Sequence, residues 1–164
     1  GDSAEDSKSF GREYGFEDLS DITGETARSE SPAGSITSDV EKDDFKSHYD
    51  LGMAYIEMAL YDEAIKELQI SSRSDQFKLQ SLEMIGLCFI SKGSPRLAVK
   101  QLERGLDIAR EEGKESLGIH YNLGMAYEAL GEDKKALEHF EEVYIVDVTF
   151  REIQEKMKKL KTHV

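Results

Sequence analysis

Leu51-Gly52-Met53-Ala54-Tyr55 recurs letter for letter as Leu123-Gly124-Met125-Ala126-Tyr127, and a degenerate copy, Ile85-Gly86-Leu87-Cys88-Phe89, stands between them. Aligning the three stretches on their glycines brings further residues into phase. Twelve residues after each glycine is an alanine (Ala64, Ala98, Ala136), and sixteen after is a large apolar residue (Leu68, Leu102, Phe140). The steps between glycines are 34 and 38 residues. Self-similarity at this period marks a chain built from one repeated supersecondary unit.

The pattern makes physical sense as a pair of antiparallel helices per repeat. In the first helix, the apolar residue before the glycine and the aromatic three after it are four apart, on one face. The glycine between them allows a second helix to come close, and the alanine serves the same approach from the other side. The apolar residue four beyond the alanine shares its face and is expected to fill the space between repeats. Glycine inside a helix costs about 0.8–1 kcal/mol against alanine, so three in phase point to packing. Gly52, Ala64, Gly86, Ala98, Gly124 and Ala136 are therefore the expected repeat-packing residues.

Those residues resemble the tetratricopeptide repeat family, with three repeats at about 45–78, 79–116 and 117–148 and a closing helix at about 149–162. Some positions depart from the family pattern. The early tryptophan is replaced by His48, Leu82 and His120, the closing proline by Gln76, Arg110 and Val148, and the inter-helix turn has Ala59 where the later repeats have Gly93 and Gly131. The resemblance implies an all-α fold: antiparallel helix-pair repeats stacked as a short right-handed α-solenoid over residues 43–164.

Helix signals refine the boundaries. Ser38-x-x-Glu41 has the form of a capping box and opens the first pair, about 38–59 and 62–72. The second pair covers about 75–92 and 95–112, divided by Gly93 as stop, Ser94 as N-cap and Pro95 at the first helical position. The third covers about 114–130 and 133–146 around Gly131. Thr149-x-x-Glu152 reads as a second capping box, followed by Phe150, Ile153, Met157 and Leu160 on one face. Lys158, Lys159 and Lys161 end that helix, where cations suit the helix dipole, and its polar outer side suits a cap.

The 164 residues carry a net charge of −13, unevenly spread. Residues 1–44 hold thirteen acids and four bases, whereas 45–164 hold twenty-one and seventeen. Acidity without a basic stripe argues against nucleic acid and against anionic membrane surfaces. No apolar run approaches the ~18 residues of a spanning helix, so membrane insertion is not expected. The chain begins at Gly1, which reads as a processed or excised piece, and its single cysteine, Cys88, lies in an apolar helical run. A cytoplasmic, reducing compartment fits that lone thiol.

Residues 1–42 are rich in Gly, Ser, Thr and acids, the composition of a disordered acidic tail. One island interrupts it: Phe10, Tyr14, Phe16, Leu19 and Ile22, set among acids. Spaced aromatics of this kind form short motifs that fold onto a groove. The tether from Ile22 to Phe45 has a flexible span of ~25 Å, enough for the island to visit the chain's own groove and compete with a ligand there.

Nothing in the chain points to an enzyme, and no catalytic residue, cofactor or metal ligand set is assigned. There is no Gly-rich phosphate loop, zinc-ligand spacing or nucleophile elbow. His48 and His120 hold equivalent repeat positions, which indicates packing, and Glu111-Glu112 and Glu141-Glu142 are adjacent pairs that face solvent.

The first helices carry a second apolar stripe: Tyr49, Met53 and Ile56, then Leu87 and Ile90, then Tyr121 and Met125. The resemblance places these on the concave surface, where the family holds peptides, and adds Asn122. Relatives that grip a C-terminal carboxylate use Lys, Arg and Asn there, whereas this chain offers Tyr49, Met53, Met84, Gly118 and Asn122. An apolar or amphipathic segment of another protein is thus the expected ligand, and methionine gives an adaptable surface. The chain reads as a scaffold or chaperone-like module; the competing expectation is self-association, with the stripe covered by a second copy in a homodimer or by the tail.

Overall fold

The computed structural model describes residues 37–163, with side chains from residue 44 onward. Seven helices run through these residues, and no strand occurs among them. They are α1 (Thr37–Glu57), α2 (Tyr61–Ser71), α3 (Lys78–Ser91), α4 (Pro95–Glu112), α5 (Leu117–Ala129), α6 (Asp133–Val146) and α7 (Ile153–Lys161). The chain divides between Ser81 and Leu82, inside α3, into two compact units. The aromatic island at Phe10–Ile22 lies outside the described residues, as do the side chains of Ser38 and Glu41.

In the first unit α1 packs antiparallel on α2. A Cβ on Gly52 would stand 2.7 Å from Leu68 Cγ and 3.4 Å from the Ala64 carbonyl oxygen. In the second unit the same relation joins Gly86 to Leu102, and Gly124 to Phe140. The large residue sixteen positions on therefore rests in the hollow above its own glycine, as a knob in a hole, rather than in the space between repeats. Leu68, Leu102 and Phe140 are fully buried, as are Ala64, Ala98 and Ala136. Each pair is thereby held by one side chain filling the volume that a missing Cβ leaves.

The turns inside the three pairs share one geometry. The amides of Leu60, Ser94 and Glu132 donate to the carbonyls of Tyr55, Phe89 and Tyr127 at 2.8, 2.8 and 2.9 Å. This six-residue closure needs a left-handed residue just before the donor. Gly93 and Gly131 supply it at φ 78° and 75°, and Ala59 adopts it at φ 58° despite its Cβ. Repeat geometry overrides residue preference there, at a cost of ~1 kcal/mol.

Two expected N-caps do not form as the sequence suggests. Ser94 stands at an N-cap with Pro95 behind it, but its side chain makes no capping bond. Thr149 caps nothing: its amide and hydroxyl both donate to Asp147 Oδ1, at 2.9 and 2.7 Å. These bonds favour the ionised carboxylate and hold Asp147 below its usual pKa. The local Asp147–Thr149 turn outcompetes the capping box, and α7 begins four residues later, at Ile153. Likewise α3 and α5 begin three residues later than expected, at Lys78 and Leu117.

The core of the last pair is closed by α7. Ile153, Met157 and Leu160 pack on Tyr121, Ala136, Phe140 and Val143, and Met125, Leu137 and Phe150 fringe the cluster. Lys156 Nζ donates to Glu128 Oε1 at 2.9 Å, tying α7 to α5.

Candidate functional site

The stripe along the first helices is more deeply buried than its spacing suggests. In the first unit, Met53 and Ile56 are only 3 % and 2 % exposed, while Leu51 and Tyr55, expected inside, are half-buried. Tyr49 keeps partial exposure and stacks on Phe77 with ring centroids 5.5 Å apart. In the second unit Leu87 and Tyr121 are buried, and Ile90 and Met125 are half-buried.

The reason in the second unit is that α5 is surrounded. Seven of its side positions, from Ile119 to Ala126, are buried. Its Gly124 meets α6, and Ile119 reaches toward Gly105 of α4. A helix apolar on nearly every side becomes a central element when enough neighbours cover it. Glu83 of α3 covers part of what remains, since a Cβ on Gly118 would occupy the space of its carboxylate.

Asn122 has no exposed surface and is engaged internally. Its Nδ2 donates to the Glu83 carbonyl at 3.3 Å, and its Oδ1 accepts from Arg151 Nη1 at 3.2 Å. Arg151 Nη2 also donates to Glu83 Oε1 at 3.3 Å. The guanidinium lies over the rings of Tyr121 and Phe150, 5.1 and 4.8 Å from their centroids. Such stacking and pairing suit the planar guanidinium in ways a lysine cannot match. Arg151 carries this contact from a left-handed backbone (φ 46°), an uncommon conformation for a side chain of its size. Arg151 and Glu83 were not legible in the repeat pattern. Arg151 follows the last repeat, and Glu83 looks like any surface acid on an amphipathic helix.

Four further titratable groups sit within the packing of the helices. Cys88 is buried, and that burial pushes its thiol up to about 12, far from a reactive thiolate. His120 and His139 approach Nδ1 to Nδ1 at 3.1 Å, and His139 stacks on Tyr127. Tyr127 donates to Glu103 Oε1 at 3.3 Å, and burial with that nearby carboxylate raises the phenol's pKa. Among the described residues, no group of three or more His, Cys, Asp or Glu is placed to hold a metal ion, and no helix is long and apolar enough to cross a membrane.

Known proteins share this organisation. Two family models for the tetratricopeptide repeat match, one over residues 118–147 and one over 45–69. The response regulator aspartate phosphatase A of Bacillus subtilis (strain 168) is 30% identical over 120 residues, which is 69% of this chain and 32% of that protein. The chain thus spans about a third of that relative's length. The solved Arabidopsis OM64 TPR domain matches with a TM-score of 0.68 at 13% identity, over 76% of this chain and 99% of that one. That likeness concerns the fold. The glycine-centred helix pairs and the two family matches identify the chain as a tetratricopeptide repeat protein, a repeat class that forms protein–protein interaction modules.

Proposed function

We propose that the chain holds an apolar or amphipathic segment of another protein against the first helices of its repeats, without catalysis. One observation carries the reading: the residues of the stripe that keep partial exposure are apolar or aromatic, Tyr49 in the first unit and Ile90 and Met125 in the second. A ligand laid on either unit's residues gains by burying apolar surface, at roughly 25 cal/mol per Å². A carboxylate-gripping mode is disfavoured because Asn122 is buried and already bonded to Arg151 and Glu83. The Bacillus subtilis relative is named for a phosphatase activity toward response regulators. That activity belongs to a protein of which the match covers only 32%, and the reading here rests on the repeats alone.

Selection of displayed peptides against the full chain tests the proposal. Enriched peptides should carry aliphatic and aromatic residues, and Met125→Glu should weaken them by about tenfold, the scale of one lost apolar contact. Met125 is half-buried, so unchanged circular dichroism must accompany the loss; Met53, at 3 % exposure, is no place for such a charge. Recovery of acidic or C-terminal carboxylate peptides, or binding insensitive to both Met125→Glu and Tyr49→Glu, would refute it.

A further inference from the structure

The last turn of α6 leaves an apolar strip open. Tyr144, Ile145, Val146 and Val148 are 40, 78, 63 and 44 % exposed. Single exposed apolar residues are ordinary on a protein surface, but a contiguous set marks an interaction site. Beside it lies a shallow cleft of about 470 Å³, where Tyr144 and Met157 meet Lys158 and Lys161. A second cleft along Val148 shares Gln154 and Glu155 with the first, so Tyr144, Val148 and the two clefts form one surface along α7, with Ile145 and Val146 next to Tyr144 in the chain.

That surface is also cationic at one end. α7 carries four lysines against Glu155, and Lys156 is taken by Glu128. Lys158, Lys159 and Lys161 form no ion pair among the described residues. An occupant must therefore be apolar and acidic at once. Residues 10–22 of this chain have that character: Phe10, Tyr14, Phe16, Leu19 and Ile22 alternate with Glu13, Glu17, Asp18 and Asp21, against one base, Arg12. Phe16, Leu19 and Ile22 recur every third residue, the spacing of one helical face. The first-helix face of the second unit is a poorer receiver, since Leu87, Tyr121 and Asn122 are buried there.

We infer that segment 10–22 docks on the outer face of α6 and α7. Its apolar residues lie against Tyr144, Ile145 and Val148, and its acids face Lys158 and Lys161. Glu155 lines both clefts and Glu152 the second, so the segment's acids are held toward Lys158 and Lys161 and away from Glu152. This surface is separate from the one proposed above to hold a partner, and either reading can fail without the other.

The test uses the full chain with a photoreactive benzoylphenylalanine in place of Phe16, and mass spectrometry to map the crosslinks. They should fall within residues 144–161. Lys158→Glu with Lys161→Glu should cut their yield by about tenfold, as should ~1 M salt, where charges are screened beyond ~3 Å. The two lysines are exposed; if that pair disturbs the helicity, Lys158→Gln with Lys161→Gln serves instead. Mixing isotope-labelled and unlabelled copies shows whether the segment docks within or between molecules, and either result supports the site. Crosslinks at Tyr49, Ile90 or Met125, diffuse crosslinks, or a yield indifferent to the lysines would overturn it. So would a dimer that persists after Phe16→Ser and Leu19→Ser, which would give the strip to a second copy's own strip.

Discussion

His48 and His120 hold the same place in their repeats, and each faces the residue nineteen positions on: Glu67 for one, His139 for the other. The repeat sets the geometry and the partner sets the electrostatics. Burial lowers the pKa of both His120 and His139; for His120 the neighbouring His139 and Arg110 add to the lowering, as Arg110 does for His139. Glu142 opposes this for both rings, with Glu103 on His120 and Glu138 on His139. An unfolded chain titrates both near 6.5 and so binds more protons below that pH than the folded chain does. Stability from this pair is therefore whole above about pH 6.5 and declines as the pH falls toward the depressed folded values. Urea midpoints should drop between about pH 7.5 and pH 5.5. His139→Glu, which copies the first unit's pair, should flatten that drop and raise the His120 pKa in an NMR titration. An unchanged slope in the variant would show that the imidazole contact carries no electrostatic weight.

At the scale of elements, each pair rests on one filled hollow. At Gly86 an added Cβ would lie 2.5 Å from Leu102 Cγ and Cδ2 and 2.9 Å from Cδ1. The obstacle is the branch point of a fully buried leucine, which cannot swing aside. Overpacking of this kind costs about 1–3 kcal/mol, while the better helix propensity of alanine returns about 1 kcal/mol. Gly86→Ala should thus lower stability by ~1 kcal/mol, and its effect should shrink or reverse in a Leu102→Ala background because the two sites share one volume. Thermal unfolding of the four proteins checks this; a Gly86→Ala variant as stable as the parent would remove the packing explanation for the repeated glycine. The same elements show how far local signals reach. Gly93, Pro95 and Gly113 mark the ends of α3 and α4 because each has a backbone requirement of its own. Thr149 misleads because its hydroxyl has a nearer acceptor in Asp147.

For the molecule, α7 matters beyond its nine residues. Ile153, Met157 and Leu160 are buried against α5 and α6, and burying side chains of this size stabilises by about 1.5–3 kcal/mol each. Their sum is on the order of the 5–15 kcal/mol by which a whole domain is stable. Deleting residues 149–164 would also uncover Tyr121, Phe140 and Val143 and strand Glu128, whose Oε2 is buried and makes no hydrogen bond among the described residues. The truncated chain should lose helicity per residue and aggregate, as read by circular dichroism and size-exclusion chromatography. A soluble monomer of undiminished helicity would show that α7 is dispensable to the fold.

The amino-acid sequence by itself determined the helix pairs and their number. Such features depend on spacing within about twenty residues: glycine to alanine, glycine to large apolar residue, stop to cap. What the stripe on the first helices does was left to tertiary structure. Spacing shows that Met53, Leu87 and Tyr121 lie on the same side of their respective first helices, but not how many neighbours arrive to cover it. In the second unit Glu83 and Arg151 cover Asn122 from 39 and 29 residues away in the chain, and Arg151 also lies over Tyr121. Contacts at such separations follow from how the helices pack, for which local periodicity carries no signal.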